Sequence, residues 1–249
     1  MNKGLLVISV LLIAISCRAQ DRRWETPNPV DYPVVAQRRN TIAEFVPENF
    51  ESVSQVTGDL NGDDLPDAAL YVKGVNSRFI TKLDYSQYDA NPRILLILFQ
   101  EANGGGYRLA ERSDRFIMTP DSPAMLEPFQ SMTIKNRVLQ INFELFLSAG
   151  GWGATNASHK FRYQNGKFYL IGADREDYMR NAVEIYKESY NFLTRKVKST
   201  EGIRQGIEEA EKYDQKVKIR WRRLSNVRMR TLSELGLAFS WEISRGTFL

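Results

Sequence analysis

The chain has 249 residues, a formal net charge of +4, 43% hydrophobic and 26% charged residues, long enough to bury a core without covalent staples. One cysteine and one histidine exclude a disulfide framework, a Cys-based zinc site and any two-histidine metal centre. A charge this close to balance gives no argument for nucleic acid.

Residues 1–19 place Lys3 ahead of an apolar run from Leu5 to Ile15, then small and polar residues, the three-part layout of a secretory signal peptide. The run is too short for a stable membrane span, and no later stretch reaches 18 apolar residues. The expected location is the periplasm or cell envelope. Two processing routes stay open: cleavage after Ala19, or lipid attachment at Cys17, whose preceding Ala14-Ile15-Ser16 resembles a lipobox. Losing Lys3 and Arg18 lowers the charge to about +2.

Residues 20–40, with three prolines and four arginines, are expected to form an extended leader. The single domain expected over 41–249 starts with short helical turns, since Thr41 and Glu44 have capping-box spacing and Pro47-Glu48 suits a first turn. From Val53 to Leu170 short β-branched and aromatic runs are punctuated by glycine and asparagine. Strands are predicted at 68–72, 94–100, 107–111, 131–135, 138–147, 159–163 and 167–172, with residues 177–193 also read as strand. Asn165-Gly166 is the preferred type I′ hairpin pair, and the glycines after Asn103 make a longer connection. Residues 199–214 read as a polar insertion, and Thr231, Glu234 and Gly236 frame a short helix. The fold class is mainly β, an antiparallel meander of hairpins with a few short helices at its margins.

The most specific chemical signal is GDLNGDDLPD at 58–67. Asp59, Asn61 and Asp63 recur at every second position, the Leu65 carbonyl can turn inward at the seventh place, and Asp67 lies at the ninth. Such spacing wraps oxygen ligands around one hard cation, and calcium suits an all-oxygen set better than magnesium or a transition metal. The competing reading is a solvated turn rich in Asp, Asn and Gly. With the following AALYV, the motif resembles the calcium loop of FG-GAP repeats of integrin-like proteins and of VCBS repeats. The runs NPRILLILFQEANGGGYRL, FQSMTIKN, SAGGW, FYLIG and YNFLTRKVKST are similar to single-copy FG-GAP-like exported bacterial proteins. The resemblance implies a structural calcium held by Asp59, Asn61, Asp63, Leu65 and Asp67, with Asp64 departing from the glycine usual at its position.

Four further features bear on function. KVKIRWRRL at 216–224 places Lys216, Lys218, Arg220 and Arg222 on one strand face and Val217, Ile219 and Trp221 on the other. That stripe reads either as a solvated, lysine-guarded edge or as a docking surface for an anionic partner such as a glycan, lipid head groups or an acidic protein. Trp152, in the glycine-rich SAGGWGATNAS, either anchors a contact or folds back onto the core. His159 has no G-x-S-x-G elbow beside it, and Asp174, Glu176 and Asp177 are either solvated or an acid/base set. The expected function is an exported envelope binding protein with one structural calcium loop and no catalytic residues. The alternatives are an inhibitor or immunity-type protein and a carboxylate-based glycan hydrolase.

Overall fold

The computed structural model describes residues 25–83, 87–182, 184–203, 217–225, 227–244 and 246–249. The signal segment with Cys17, as well as Lys216 and most of the polar insertion, lies outside the described residues. Two antiparallel sheets dominate. The first contains β1 (Arg38–Arg39), β2 (Phe50–Gly58) and β3 (Asp67–Gly74); after a small hairpin of β4 (Ile80–Lys82) and β5 (Gln87–Asp89) it is completed by β6 (Arg93–Gln100) and β7 (Tyr107–Ser113), in the order β1-β7-β6-β3-β2.

The second sheet is a seven-stranded meander in which every strand pairs with its neighbours in sequence. It runs through β8 (Phe129–Lys135), β9 (Val138–Phe146), β10 (Gly153–Gln164), β11 (Lys167–Met179), β12 (Glu184–Asn191), β13 (Lys196–Ile203) and β14 (Lys218–Arg223). Asn165 and Gly166 close the β10–β11 hairpin with φ of +50° and +79°, the left-handed pair a type I′ turn needs. A helical turn, α1 (Leu232–Leu235), and the short pair β15 (Glu242–Ser244) and β16 (Thr247–Phe248) follow. Thr231 and Glu234 cap α1 reciprocally, as their spacing predicts. Among the described residues no helix is long and apolar enough to cross a membrane.

Alternation explains the layers. In β3 and β6 nearly every residue is buried because both faces are covered. Ala69, Tyr71, Leu95, Ile97 and Phe99 face the second sheet, while Ala68, Leu70, Val72, Ile94, Leu96 and Leu98 pack against Val35 and Phe45. Part of the extended leader packs against this sheet: its Arg38–Arg39 pairs with β7, and Val35 seals the sheet's outer side. A Cβ at Gly106 would lie 2.3 Å from the Arg39 carbonyl, so only glycine admits this strand. Two strands not singled out by sequence, β2 and β13, lie at or next to a sheet edge and bury few side chains, so their polar sequences lack a clear apolar period. Ser199–Ile203, expected in the insertion, continues β13.

In the second sheet Ile141, His159, Ala173, Tyr190 and Val197 form one cross-strand row on the buried face. His159 is a core residue here: 1% exposed, with Phe116, Phe143 and Phe239 meeting its ring edge-on at centroid distances of 5.3, 5.7 and 5.5 Å. Neither ring nitrogen has a hydrogen-bond partner among the described residues, and burial pushes its pKa down to about 4. The unfolded chain, with an ordinary pKa near 6.5, takes up the proton first. Stability is therefore complete above about pH 6.5 and declines as pH falls towards 4, by roughly 3 kcal/mol in all. Urea unfolding of wild type and His159→Leu between pH 7 and 4 checks this: the substitution removes most of the slope with pH, whatever its effect on absolute stability.

Candidate functional site

The acidic turn joins β2 to β3 through three nested side-chain turns. The Asp59 Oδ1 accepts from the Gly62 N–H at 2.6 Å, the Asn61 Oδ1 from Asp63 N–H at 2.9 Å, and the Asp63 Oδ1 from Leu65 N–H at 2.9 Å. The Asn61 amide also donates to the Asp63 Oδ2 at 2.8 Å. Asp64 adopts φ of +62° at the place where the resemblance calls for glycine.

Asp67 is fully buried and differs from the other acids of the turn. Its Oδ2 accepts from the Leu60 and Asn61 amides at 2.9 and 3.3 Å, and its Oδ1 from the Gln100 amide at 3.0 Å, pinning the turn to β6. Burial raises its carboxyl above the usual range against the pull of those amides. The Leu65 carbonyl accepts from the Asp67 N–H at 3.0 Å, and Arg137 Nε stands 3.3 Å from the Asp59 Oδ2. The donor set suits calcium in being all oxygen. However, both Asp67 oxygens are engaged by amides, and among the described residues no three carboxylate, imidazole or thiol groups converge as a metal set.

Asp174, Glu176 and Asp177, just past the strand predicted at 167–172, sit within β11 and divide between its faces, because neighbours in a strand alternate. Asp177 lies on the inner face, bridged to Arg175 at 2.8 and 2.9 Å and accepting from the Thr155 hydroxyl at 2.6 Å. Asp174 and Glu176 lie on the outer face. Asp174 receives Lys160 Nζ at 2.5 Å and the Ser189 and Ser158 hydroxyls at 2.5 and 3.1 Å; Glu176 meets Lys187 at 2.5 Å. Burial acts to raise the Asp174 carboxyl, but the lysine and hydroxyls outweigh it and hold it below the usual range. A general acid requires the opposite shift.

The basic stripe of β14 has the alternation its sequence predicts, and its described charges are paired within the sheet. Lys218 and Arg220 both meet Glu201, at 3.4 and 3.1 Å, and Arg222 meets Glu188 at 3.0 Å. Glu188 is buried and also accepts from the hydroxyls of Tyr186, Ser199 and Tyr190. Those donors overcome the penalty of burial and hold its carboxyl low. The side of the strand expected as an apolar back is open instead: Val217, Ile219 and Trp221 are 54%, 50% and 66% exposed. Trp152 is exposed too, with the Arg180 guanidinium 5.5 Å from its ring centroid. Half of its predicted loop is strand, since β10 begins at Gly153.

The outer face of this sheet brings Lys196 and Lys198, which sequence reasoning missed, beside Trp221 and Arg223 of the basic strand. Lys196 lies directly opposite Arg223, and Lys198 opposite Trp221, so three cations and one indole form a two-by-two block on β13 and β14. Among the described residues no acid pairs with Lys196, Lys198 or Arg223. Like charges set directly opposite one another across a sheet are destabilising. A hollow of about 500 Å³ beside the block is lined by Thr194, Lys196, Trp221, Arg222 and Arg223. From Trp221 and Lys198 the cross-strand row continues through Ser189, Asp174 and Ser158 to Asn142. The sequence signal was the alternating Lys196-Val197-Lys198, whose meaning depends on Arg223 arriving 25 positions later.

Protein-family models, characterised proteins and solved structures were all compared with this chain, and none matches.

Proposed function

We propose that this chain is an exported cell-envelope protein that binds a partner through the outer face of its seven-stranded sheet. The observation that carries this reading is the block of Lys196, Lys198, Arg223 and Trp221, three cations without a counter-charge among the described residues, around a two-thirds exposed indole. Uncompensated like charge stabilises nothing within the fold, whereas it attracts and orients an anionic partner. An exposed tryptophan beside it supplies contact area of the kind that dominates binding energy. Asp174, Glu176 and Asp177, by contrast, are each matched to a lysine or arginine. Export rests on the signal-like segment at residues 1–19.

The test is retention of envelope material by immobilised protein at low salt. Wild type retains it and releases it in about 0.5 M salt, where charges are screened beyond a few ångströms. The double substitution Lys196→Glu with Arg223→Glu retains none. Equal retention by both proteins contradicts the assignment.

Calcium at the acidic turn is proposed as support for the fold. Asp59, Asn61 and Asp63, with the Leu65 carbonyl, would hold it; the ion would supply a cross-link across the turn and displace Arg137 from Asp59. Free calcium at about ten times its Kd would stabilise the fold by about 1.4 kcal/mol, or roughly 3–5 °C in Tm for a domain of this size. Melting curves in millimolar calcium and in chelator therefore differ for wild type and coincide for Asp59→Ala with Asp63→Ala. Coincident wild-type curves contradict it.

A further inference from the structure

We infer that the outer sheet face is built for an acidic polysaccharide, a polymer of uronate-type sugars lying across the strands from the Trp221 edge. This rests on the binding reading above and names its ligand class. The side chains along the path are of three kinds, and each matches one part of such a polymer.

Lys196, Lys198 and Arg223 supply positive charge with no described partner, suited to carboxylates that repeat along a chain. Trp221 gives a flat apolar surface at the same place, against which the less polar face of a sugar ring can lie. Beyond the block the row continues through Ser189, Asp174, Ser158 and Asn142, where Lys160 neutralises Asp174 and the two serine hydroxyls donate to it, so this stretch is polar without net charge and complements sugar hydroxyls rather than further carboxylates. Strands are spaced about 4.8 Å apart, so the six strands from Trp221 to Asn142 extend the row about 24 Å. That length suits several sugar units rather than one.

The face also argues against two other anionic partners. A bilayer surface would be entered only at the β14 edge, by Trp221, Ile219 and Val217, whereas the row past Trp221 is hydrophilic. An acidic peptide added to the β14 edge would find Arg223 alone uncompensated on that strand, since Glu201 and Glu188 already satisfy Lys218, Arg220 and Arg222 and Lys196 and Lys198 lie one strand further in.

Binding is measured by titration calorimetry of the full mature chain with polygalacturonate, with its fully methyl-esterified form, and with phosphatidylglycerol vesicles. The expected result is binding to the free acid alone, weakened at least tenfold by Trp221→Ala and by Lys196→Ala with Arg223→Ala. Asn142→Ala, about 24 Å away, weakens the long polymer about threefold and leaves a disaccharide unaffected. All four side chains are at least partly exposed, so the variants melt no lower than wild type. Equal binding of acid and ester, or binding to vesicles alone, overturns the inference. So does an absence of polymer binding, and if retention of envelope material still depends on Lys196 and Arg223, the binding reading survives while the glycan assignment fails.

Discussion

Everything on the outer face follows from what the inner face of the seven-stranded sheet must bury. Side chains alternate along a strand, so once Ile141, His159, Ala173, Tyr190 and Val197 are fixed as a buried row, the residues between them must point outward. A slip of one residue would put Asp174 and Lys160 into the core and Ile141 into water, so the register has no close competitor. Core packing against Tyr71, Leu95, Ile97 and Phe99 of the other sheet thereby positions a polar row that makes no contact with that core. His159 shows how strict the constraint is: a polar ring occupies an aromatic place with both nitrogens unpartnered.

The two faces of β13 and β14 handle charge in opposite ways. Towards the interior, Lys218, Arg220 and Arg222 are balanced by Glu201 and the buried Glu188, and Glu188 is further held by three hydroxyls. Towards the outside, Lys196 faces Arg223 with Lys198 adjacent and no acid paired with them among the described residues. The first arrangement stabilises a sheet edge. The second opposes the fold by a fraction of a kcal/mol per pair, a sacrifice typical of binding sites. The same outer face, further in, is quiet because Asp174 and Glu176 neutralise Lys160 and Lys187.

How much of this could be read from the sequence depended on whether the signal was local. The unbroken apolar run of β6 and the strict alternation of β9 marked strands buried on two faces and on one, and Asn165-Gly166 marked its hairpin. β2 and β13 escaped because a peripheral strand with few buried side chains has little apolar period to show. The basic alternation of 216–222 was visible, but the acids that neutralise it, Glu188 and Glu201, come from β12 and β13. Equally, Lys196 and Arg223 become neighbours only when β13 pairs with β14. The acidic turn was legible as a turn, whereas the burial of Asp67 beneath three backbone amides required the position of β6.

The difference between the two faces can be measured directly by reversing one charge on each and recording Tm at low ionic strength. Arg223→Glu relieves the repulsion with Lys196 and should raise Tm by about 1–3 °C, a gain that fades as salt is added. Arg222→Glu leaves the buried Glu188 facing another carboxylate and should lower Tm by roughly 6 °C or more. If instead Arg223→Glu destabilises the protein as strongly as Arg222→Glu, Lys196 and Arg223 are already balanced and the outer face is not the uncompensated surface described.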